Sequence, residues 1–249
     1  MSTAPLTGRR ALVTGGSRGI GAEIVRRLSA DGAAVAFTYA ASTTDADTLV
    51  AEVTASGATA VAIQADAADP TQTSAAVDRA ATELGGLDIV VNNAAIAQIA
   101  PVDEFSAEEF DRLVAINIGG TYWTTRSALK HLGDGARIIN IGSVNADRIP
   151  GPGATVYGMS KGAVSSFSRG LARELGPRGI TVNNVQPGPI ATDMNPDDDS
   201  DFSKSIKQVT AQGRYGQTSD VAALVSFLAG PESGYVTGAN LNVDGGFTA

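Results

Sequence analysis

The sequence predicts an α/β fold, a single doubly wound domain with a seven-stranded parallel sheet and helices on both faces. Three observations point there. Short β-branched apolar runs alternate with longer stretches whose apolar residues recur at helical spacing. Strands separated by helices of ten or more residues are joined by crossovers, which make neighbouring strands parallel and cover both sheet faces. Seven such runs use up all 249 residues and leave no room for a second unit.

In chain order, the strands are expected at 11–14, 34–39, 60–64, 89–92, 137–141, 181–185 and 240–243. Between them lie helical patterns such as Ile20, Ile24, Val25 and Leu28, and later Phe167, Leu171 and Leu175. No linker, repeat or low-complexity tail interrupts the rhythm. The exception is Thr192 to Gly216, which carries Asp197, Asp198, Asp199 and Asp201. A polar insertion at the carboxyl end of a strand lies where doubly wound folds place their ligand crevice, so a substrate lid is expected there.

Composition narrows the function. Apolar residues make up 43% and charged residues 18%, a balance that supports a packed core. A net charge of −8 repels phosphate backbones and argues against a nucleic-acid partner. With no cysteine and a single histidine, His131, thiolate catalysis, disulfides and His- or Cys-based metal clusters are excluded. His131 lies late in a long helix, where a surface role is expected. The opening MSTAPLTGRR lacks a signal-peptide pattern, and no apolar run approaches the ~18 residues needed to span a membrane, so a cytoplasmic location is expected.

The first strand runs into Thr14-Gly15-Gly16-Ser17-Arg18-Gly19-Ile20-Gly21 and then into a helix. Glycines here let the backbone approach a pyrophosphate and turn helix N-terminal N–H groups toward it. The loop's place in the first βαβ unit of a Rossmann-type domain makes it a dinucleotide site, with Gly15, Ser17, Arg18 and Ile20 as candidate contacts. An acidic residue ending the second strand would bind both ribose hydroxyls of NAD. Tyr39 stands there instead. Arg18 offers a cation to a 2′-phosphate, and Ser42 or Thr43 offers hydroxyls, so NADP(H) is the expected cofactor.

The chemistry is expected at Tyr157-Gly158-Met159-Ser160-Lys161. Helical spacing of four puts tyrosine and lysine on one face. Ketone reduction needs a proton at oxygen, and a free phenol has a pKa of ~10. A nearby ammonium favours phenolate and is expected to lower that value. Ser143, ending the fifth strand, can hydrogen-bond the carbonyl oxygen and stabilise the developing alkoxide.

The T-G-x-x-x-G-x-G loop and the Ser143–Tyr157–Lys161 set together resemble the short-chain dehydrogenase/reductase family over essentially the full length. The resemblance implies a fourth member of the set, Asn117, which kinks its helix and holds a proton-relaying water. It implies that Asp66-Ala67 contacts the adenine. Asn93 and Ala94 of Asn92-Asn93-Ala94-Ala95 would serve the nicotinamide end, with Ala95 standing where the family more often has glycine. Pro187, Gly188, Ile190 and Thr192 match the family's nicotinamide-contacting motif, and Tyr157 and Lys161 also count as cofactor contacts. A homotetramer is implied by analogy.

The substrate is expected against Ser143, Asn145, Ile149, Pro150, Gly151, Tyr157, Gly188, Ala95-Ile96-Ala97 and the lid. Nothing there supplies a cation for a carboxylate, so a small neutral carbonyl or alcohol fits. The rivals are a 3-oxoacyl-[acyl-carrier-protein] reductase, for which Arg178 could grip the carrier, and a sugar or polyol dehydrogenase. A non-catalytic NADP-binding regulator is the rival outside the enzyme class.

Overall fold

The computed structural model describes residues 4–249. Seven strands form one parallel sheet: β1 (Arg10–Val13), β2 (Ala34–Tyr39), β3 (Ala60–Gln64), β4 (Leu87–Asn92), β5 (Leu132–Ile141), β6 (Thr181–Pro187) and β7 (Asn240–Val243). Their order across the sheet is β3-β2-β1-β4-β5-β6-β7, with every pairing parallel. The order reverses between β1 and β4. That reversal opens a crevice at the carboxyl ends of the strands.

The seven expected strands are all present, with shifted ends. Thr14 lies beyond β1, β4 begins at Leu87, β5 begins at Leu132 and β6 continues to Pro187. The early start of β5 comes from Leu132 pairing with Leu87 across a register shift, which carries Gly133-Asp134-Gly135 inside the strand. These residues lie at the amino-terminal edge of the sheet, opposite the crevice.

Strand residues alternate between two cores. Ala11 and Val13 of β1, and Ile89 and Val91 of β4, pack with Ile24, Leu28, Val221 and Val225 on one face. Leu12 and Val90 pack with Val77, Ala80, Leu171 and Leu175 on the other. The helices supplying the first face are α1 (Gly19–Ala30), α2 (Thr43–Ala55) and α8 (Thr218–Ala229). Those on the second face are α3 (Pro70–Leu84), α5 (Thr121–Ala128) and α6 (Thr155–Leu175). Each buried leucine, isoleucine or valine contributes roughly 1.5–3 kcal/mol, and both faces of a parallel sheet need that cover.

The long helix after β4 is not continuous. α4 (Ala107–Val114) starts at a capping box in which Ser106 accepts from the Glu109 N–H and Glu109 answers at Ser106. A π turn over Ala115–Gly120 then separates α4 from α5. Asn117 sits in that turn. Such wide turns inside helices mark functional positions more often than chance.

The segment after β6 is also more ordered than a solvated loop. Ile190 bridges to Gly216 and Thr192 to Asn195. Between them lies α7 (Asp201–Val209), capped by the Ser200 hydroxyl, which accepts from the Ser203 N–H. Part of the acidic run is compensated locally, because Asp197 pairs with Lys207 at 2.5 Å.

Candidate active site

Two latches shape the glycine loop. On the β2 side the Gly16 N–H donates to the Thr38 carbonyl, and the Gly15 N–H donates to the Thr38 hydroxyl. On the β4 side the Asn93 amide donates to the carbonyls of Thr14 and Gly15 at 3.0 and 2.9 Å. The Thr14 hydroxyl accepts from the N–H groups of Asn93 and Ala94, both at 3.0 Å. Asn93 therefore lines the cleft but commits its side-chain donors to the loop. Thr14 was not singled out from the sequence, although its hydroxyl ties β1 to β4.

The loop leaves space where a cofactor would need it. A Cβ on Gly21 would collide with the Gly15 carbonyl, and one on Gly15 would come within 2.9 Å of the Ala94 Cα. Gly19, at φ +54°, has only the Thr192 methyl within reach, 3.7 Å away across the cleft. No side chain caps the start of α1, so its first N–H groups are left for an anion. These features fit the pyrophosphate of a dinucleotide.

From this loop a cleft of about 720 Å³ runs along the carboxyl edge of the sheet. Arg18, Tyr39 and Ser42 line one end, Asp66 and Ala67 the next stretch, and Pro187, Gly188, Ile190 and Thr192 the other side. Arg18 is solvent-exposed, whereas Ile190 is buried. Asp66 does not stand alone. Its carboxylate accepts from Arg112 of α4 at 2.8 Å and from the Ala68 N–H at 3.0 Å, and the Arg112 hydrogen bond leads in holding it below the usual carboxylate range. Arg112 lies 46 residues away in sequence, so no local signal marks it as part of the cleft.

At the far end β5 delivers Ser143, whose hydroxyl accepts from the Asn145 N–H at 3.1 Å and starts a short 3₁₀ turn over Val144–Ala146. The first turn of α6 brings up Tyr157, and one turn later Lys161. Gly158 lets that turn pack closely, since a Cβ there would strike Ile149 and the Asn145 carbonyl. Ile149 thus turns onto α6. Neither it nor Gly151 lines the cleft, contrary to the sequence expectation, while Asn145 and Pro150 do.

Lys161 is buried, 3% exposed. Its Nζ donates to the Ile141 carbonyl at 2.9 Å and stands 5.7 Å from the centre of the Tyr157 ring. Burial lowers the Lys161 ammonium to about 8. Tyr157 moves the other way: burial raises its phenol, and the hydrogen bond with Ser143 only partly counters this. The expected lowering of the phenol by the ammonium is therefore reversed. The lysine's charge is itself weakened by burial and points at a main-chain carbonyl, so desolvation wins over attraction.

Asn117 clamps Ile96, accepting from its N–H and donating to its carbonyl, both at 2.9 Å. The same amide donates to the buried Ser160 hydroxyl at 3.0 Å, and Ser160 donates to the Tyr157 carbonyl at 2.7 Å. Asn117 thereby joins the loop after β4 to the helix carrying Tyr157 and Lys161. His131 binds Asp78 at 2.7 Å on the outside of the molecule, away from the cleft. Arg178 is engaged with Asp134 and the Leu132 carbonyl at the amino-terminal edge of the sheet.

A parallel sheet of this order, with a glycine-rich loop at one end of a cleft and a Ser–Tyr–Lys set at the other, defines an NAD(P)-dependent oxidoreductase. The chain belongs to the short-chain dehydrogenase/reductase family. A family model described as enoyl-(acyl carrier protein) reductase matches residues 15–248. The chain is 46% identical over 243 residues to a cyclic-di-GMP-binding biofilm dispersal mediator protein of Escherichia coli, covering 98% of each. It is 39% identical over 253 residues to a versicolorin reductase of Emericella nidulans, covering 97% of this chain and 96% of the relative. A short-chain dehydrogenase from Burkholderia cenocepacia solved in complex with NADP superimposes with a TM-score of 0.96 at 48% identity, covering 98% of this chain and 100% of that one.

Proposed function

We propose that the chain reduces a ketone to a secondary alcohol with NADPH, reversibly, and that Tyr157 donates the proton. The observation that carries this reading is that Ser143 and the Tyr157 phenol line the same end of the cleft, with buried Lys161 one helical turn along. NADPH bound in the cleft supplies the hydride. The Ser143 hydroxyl donates to the carbonyl oxygen and stabilises the alkoxide as it develops. Burial keeps the phenol protonated at neutral pH, as a proton donor must be. The Lys161 cation then stabilises the phenolate left behind, and Asn117 holds α6 in register with the loop after β4.

NADPH is assigned over NADH because Tyr39 ends β2 where a carboxylate would select the free ribose, and Arg18 with Ser42 lines that end of the cleft. The Burkholderia relative crystallised with NADP supports the assignment. Asp66 and Ala67 are assigned to the adenine, and Ala94, Pro187, Gly188, Ile190 and Thr192 to the nicotinamide side. Asn145 joins Ser143 and Tyr157 at the substrate. The assembly proposed is a homotetramer. The exposed ring of Tyr122 on α5, beside Trp123 and Phe167 of α6, is the apolar patch that such a subunit contact would cover.

A carrier-bound 3-oxoacyl substrate is disfavoured because Arg178 sits at the opposite edge of the sheet from Ser143 and is already paired. Monitoring NADPH oxidation across neutral ketones, acyl-carrier thioesters and sugars, with NADH in parallel, tests the proposal. Turnover of ketones that is lost in Tyr157→Phe with NADPH binding intact is the expected outcome. Tight NADPH binding with no turnover, and cyclic di-GMP binding like that named for the Escherichia coli relative, would make the protein a regulator instead.

A further inference from the structure

Three large apolar side chains stand in solvent at the mouth of the cleft. Ile99 is 60% exposed, Met194 59% and Phe202 66%. They come from three separate segments, the loop after β4, the stretch after β6 and α7, yet all line the same cleft. Exposed apolar residues scattered singly need no explanation, but a cluster rimming a binding cleft marks a surface that an apolar group covers.

Charge is divided sharply along the cleft. Arg18, Asp66 and Arg112 line the nucleotide end, and Lys161 is turned onto the Ile141 carbonyl. In the substrate half, the remaining charged lining residue is Asp193. Below the exposed collar the wall continues with Ile206 and with Phe247, which is buried and held where Arg148 reaches over its ring and binds its carbonyl.

Resting on the ketone-reductase reading, we infer that the substrate half takes an uncharged ketone bearing a bulky apolar group, aryl or alicyclic, which the Ile99–Met194–Phe202 collar covers while the carbonyl meets Ser143 and Tyr157. A polyol would set hydroxyls against the Ile99–Met194–Phe202 collar and the Ile206 and Phe247 wall, whose side chains cannot pair them. In the substrate half, an anionic substrate finds a carboxylate, Asp193, and among the described lining residues there no cation but Lys161, which is turned onto the Ile141 carbonyl.

The test compares kcat/KM for an aryl alkyl ketone with that for 2,3-butanedione, NADPH saturating, in the wild type and in Phe202→Ala and Met194→Ser. Phe202 and Met194 are both largely in solvent, so loss of folding is not the expected consequence of either change. The aryl ketone should be favoured about tenfold or more, and each variant should erase most of that ratio, chiefly through KM. Reduction of butanedione as efficiently as the aryl ketone would overturn this inference while leaving ketone reduction standing. A ratio unchanged in both variants would overturn it too. Failure to reduce any carbonyl would overturn the underlying reading and the inference with it.

Discussion

Lys161 donates from Nζ to the Ile141 carbonyl at 2.9 Å, the last carbonyl of the strand that delivers Ser143. The hydrogen bond fixes the lysine head 5.7 Å from the centre of the Tyr157 ring and couples two elements of the site, β5 and α6. It also fixes the charge in a buried position, where its ammonium falls to about 8. The proposed mechanism needs a protonated Tyr157, in line with its raised phenol, and a charged Lys161 to stabilise the phenolate. kcat/KM for ketone reduction should therefore stay level up to about pH 8 and fall above it. Alcohol oxidation must first remove the raised phenol proton, so it should gain with pH until the lysine discharges. Initial rates in both directions from pH 6 to 10 would check this, and a reduction profile flat past pH 9 would contradict it.

The same burial predicts a trade between stability and activity. The folded-state pKa of Lys161 lies below its ordinary 10.5, so the unfolded chain binds more protons between about 8 and that value, and stability rises with pH across the window. Below it the buried charge is a standing penalty of about 3 kcal/mol. Lys161→Met removes that penalty and leaves the Ile141 carbonyl unpaired, which costs about 1 kcal/mol back. Urea unfolding should show a variant stabilised by about 2 kcal/mol at pH 7, the gain vanishing by pH 10, with reduction slowed about 100-fold or more.

What the sequence shows and what it hides divide along the range of the interactions. The strands of β2, β3 and β7 were legible to the residue, because their patterns end at local turn signals. Ser143, Tyr157 and Lys161 were legible because a strand end and a helical spacing of four place them together without distant information. The early start of β5 was not, since it depends on Leu87 across the sheet. Arg112 on Asp66, Asn93 on the glycine loop and the Ile141 tether on Lys161 are contacts between distant segments, and no spacing announces them. The direction of the Tyr157 shift is hidden for a related reason: the spacing of four pairs the phenol with an ammonium, whereas desolvation of the phenol outweighs that pairing.

Asn117 should prove a positioning residue with a large stability signature. Replacing it by Ala removes both partners of Ile96 and the donor to Ser160 in a turn that is 1% exposed at Asn117. Leaving those groups unpaired costs about 2–4 kcal/mol. Thermal melting of Asn117→Ala should show the loss, and kcat should fall while KM for NADPH moves little, because Asn117 holds α6 and not the phosphate loop.

Cofactor choice should turn on two side chains at one end of the cleft. Arg18→Ala removes an exposed guanidinium that makes charge-assisted hydrogen bonds to a 2′-phosphate, so kcat/KM with NADPH should fall about 10- to 100-fold. With NADH it should change little. Adding Tyr39→Asp supplies the carboxylate that binds both ribose hydroxyls and repels the phosphate, so the double variant should prefer NADH. Parallel assays with both cofactors would read the ratio, and an NADPH preference surviving both changes would place the phosphate contact elsewhere.

Two glycines in the same loop should respond differently to alanine, and the difference tests whether the loop is a cradle. At Gly19 a Cβ meets only the Thr192 methyl at 3.7 Å, and the cost is the left-handed backbone, about 1 kcal/mol. At Gly21 the Cβ runs into the Gly15 carbonyl, a main-chain atom already held by the Asn93 amide at 2.9 Å. Relief there requires the loop to release Asn93, and with it the shape that turns the first N–H groups of α1 to the cleft. Gly19→Ala should lower the melting temperature slightly and weaken NADPH binding by crowding the cleft. Gly21→Ala should abolish binding and lower the melting temperature by more. Fluorescence titration with NADPH and thermal melts of both variants would separate them. Equal, mild effects would mean that the loop moves freely and that the Asn93 and Thr38 latches do not define its shape.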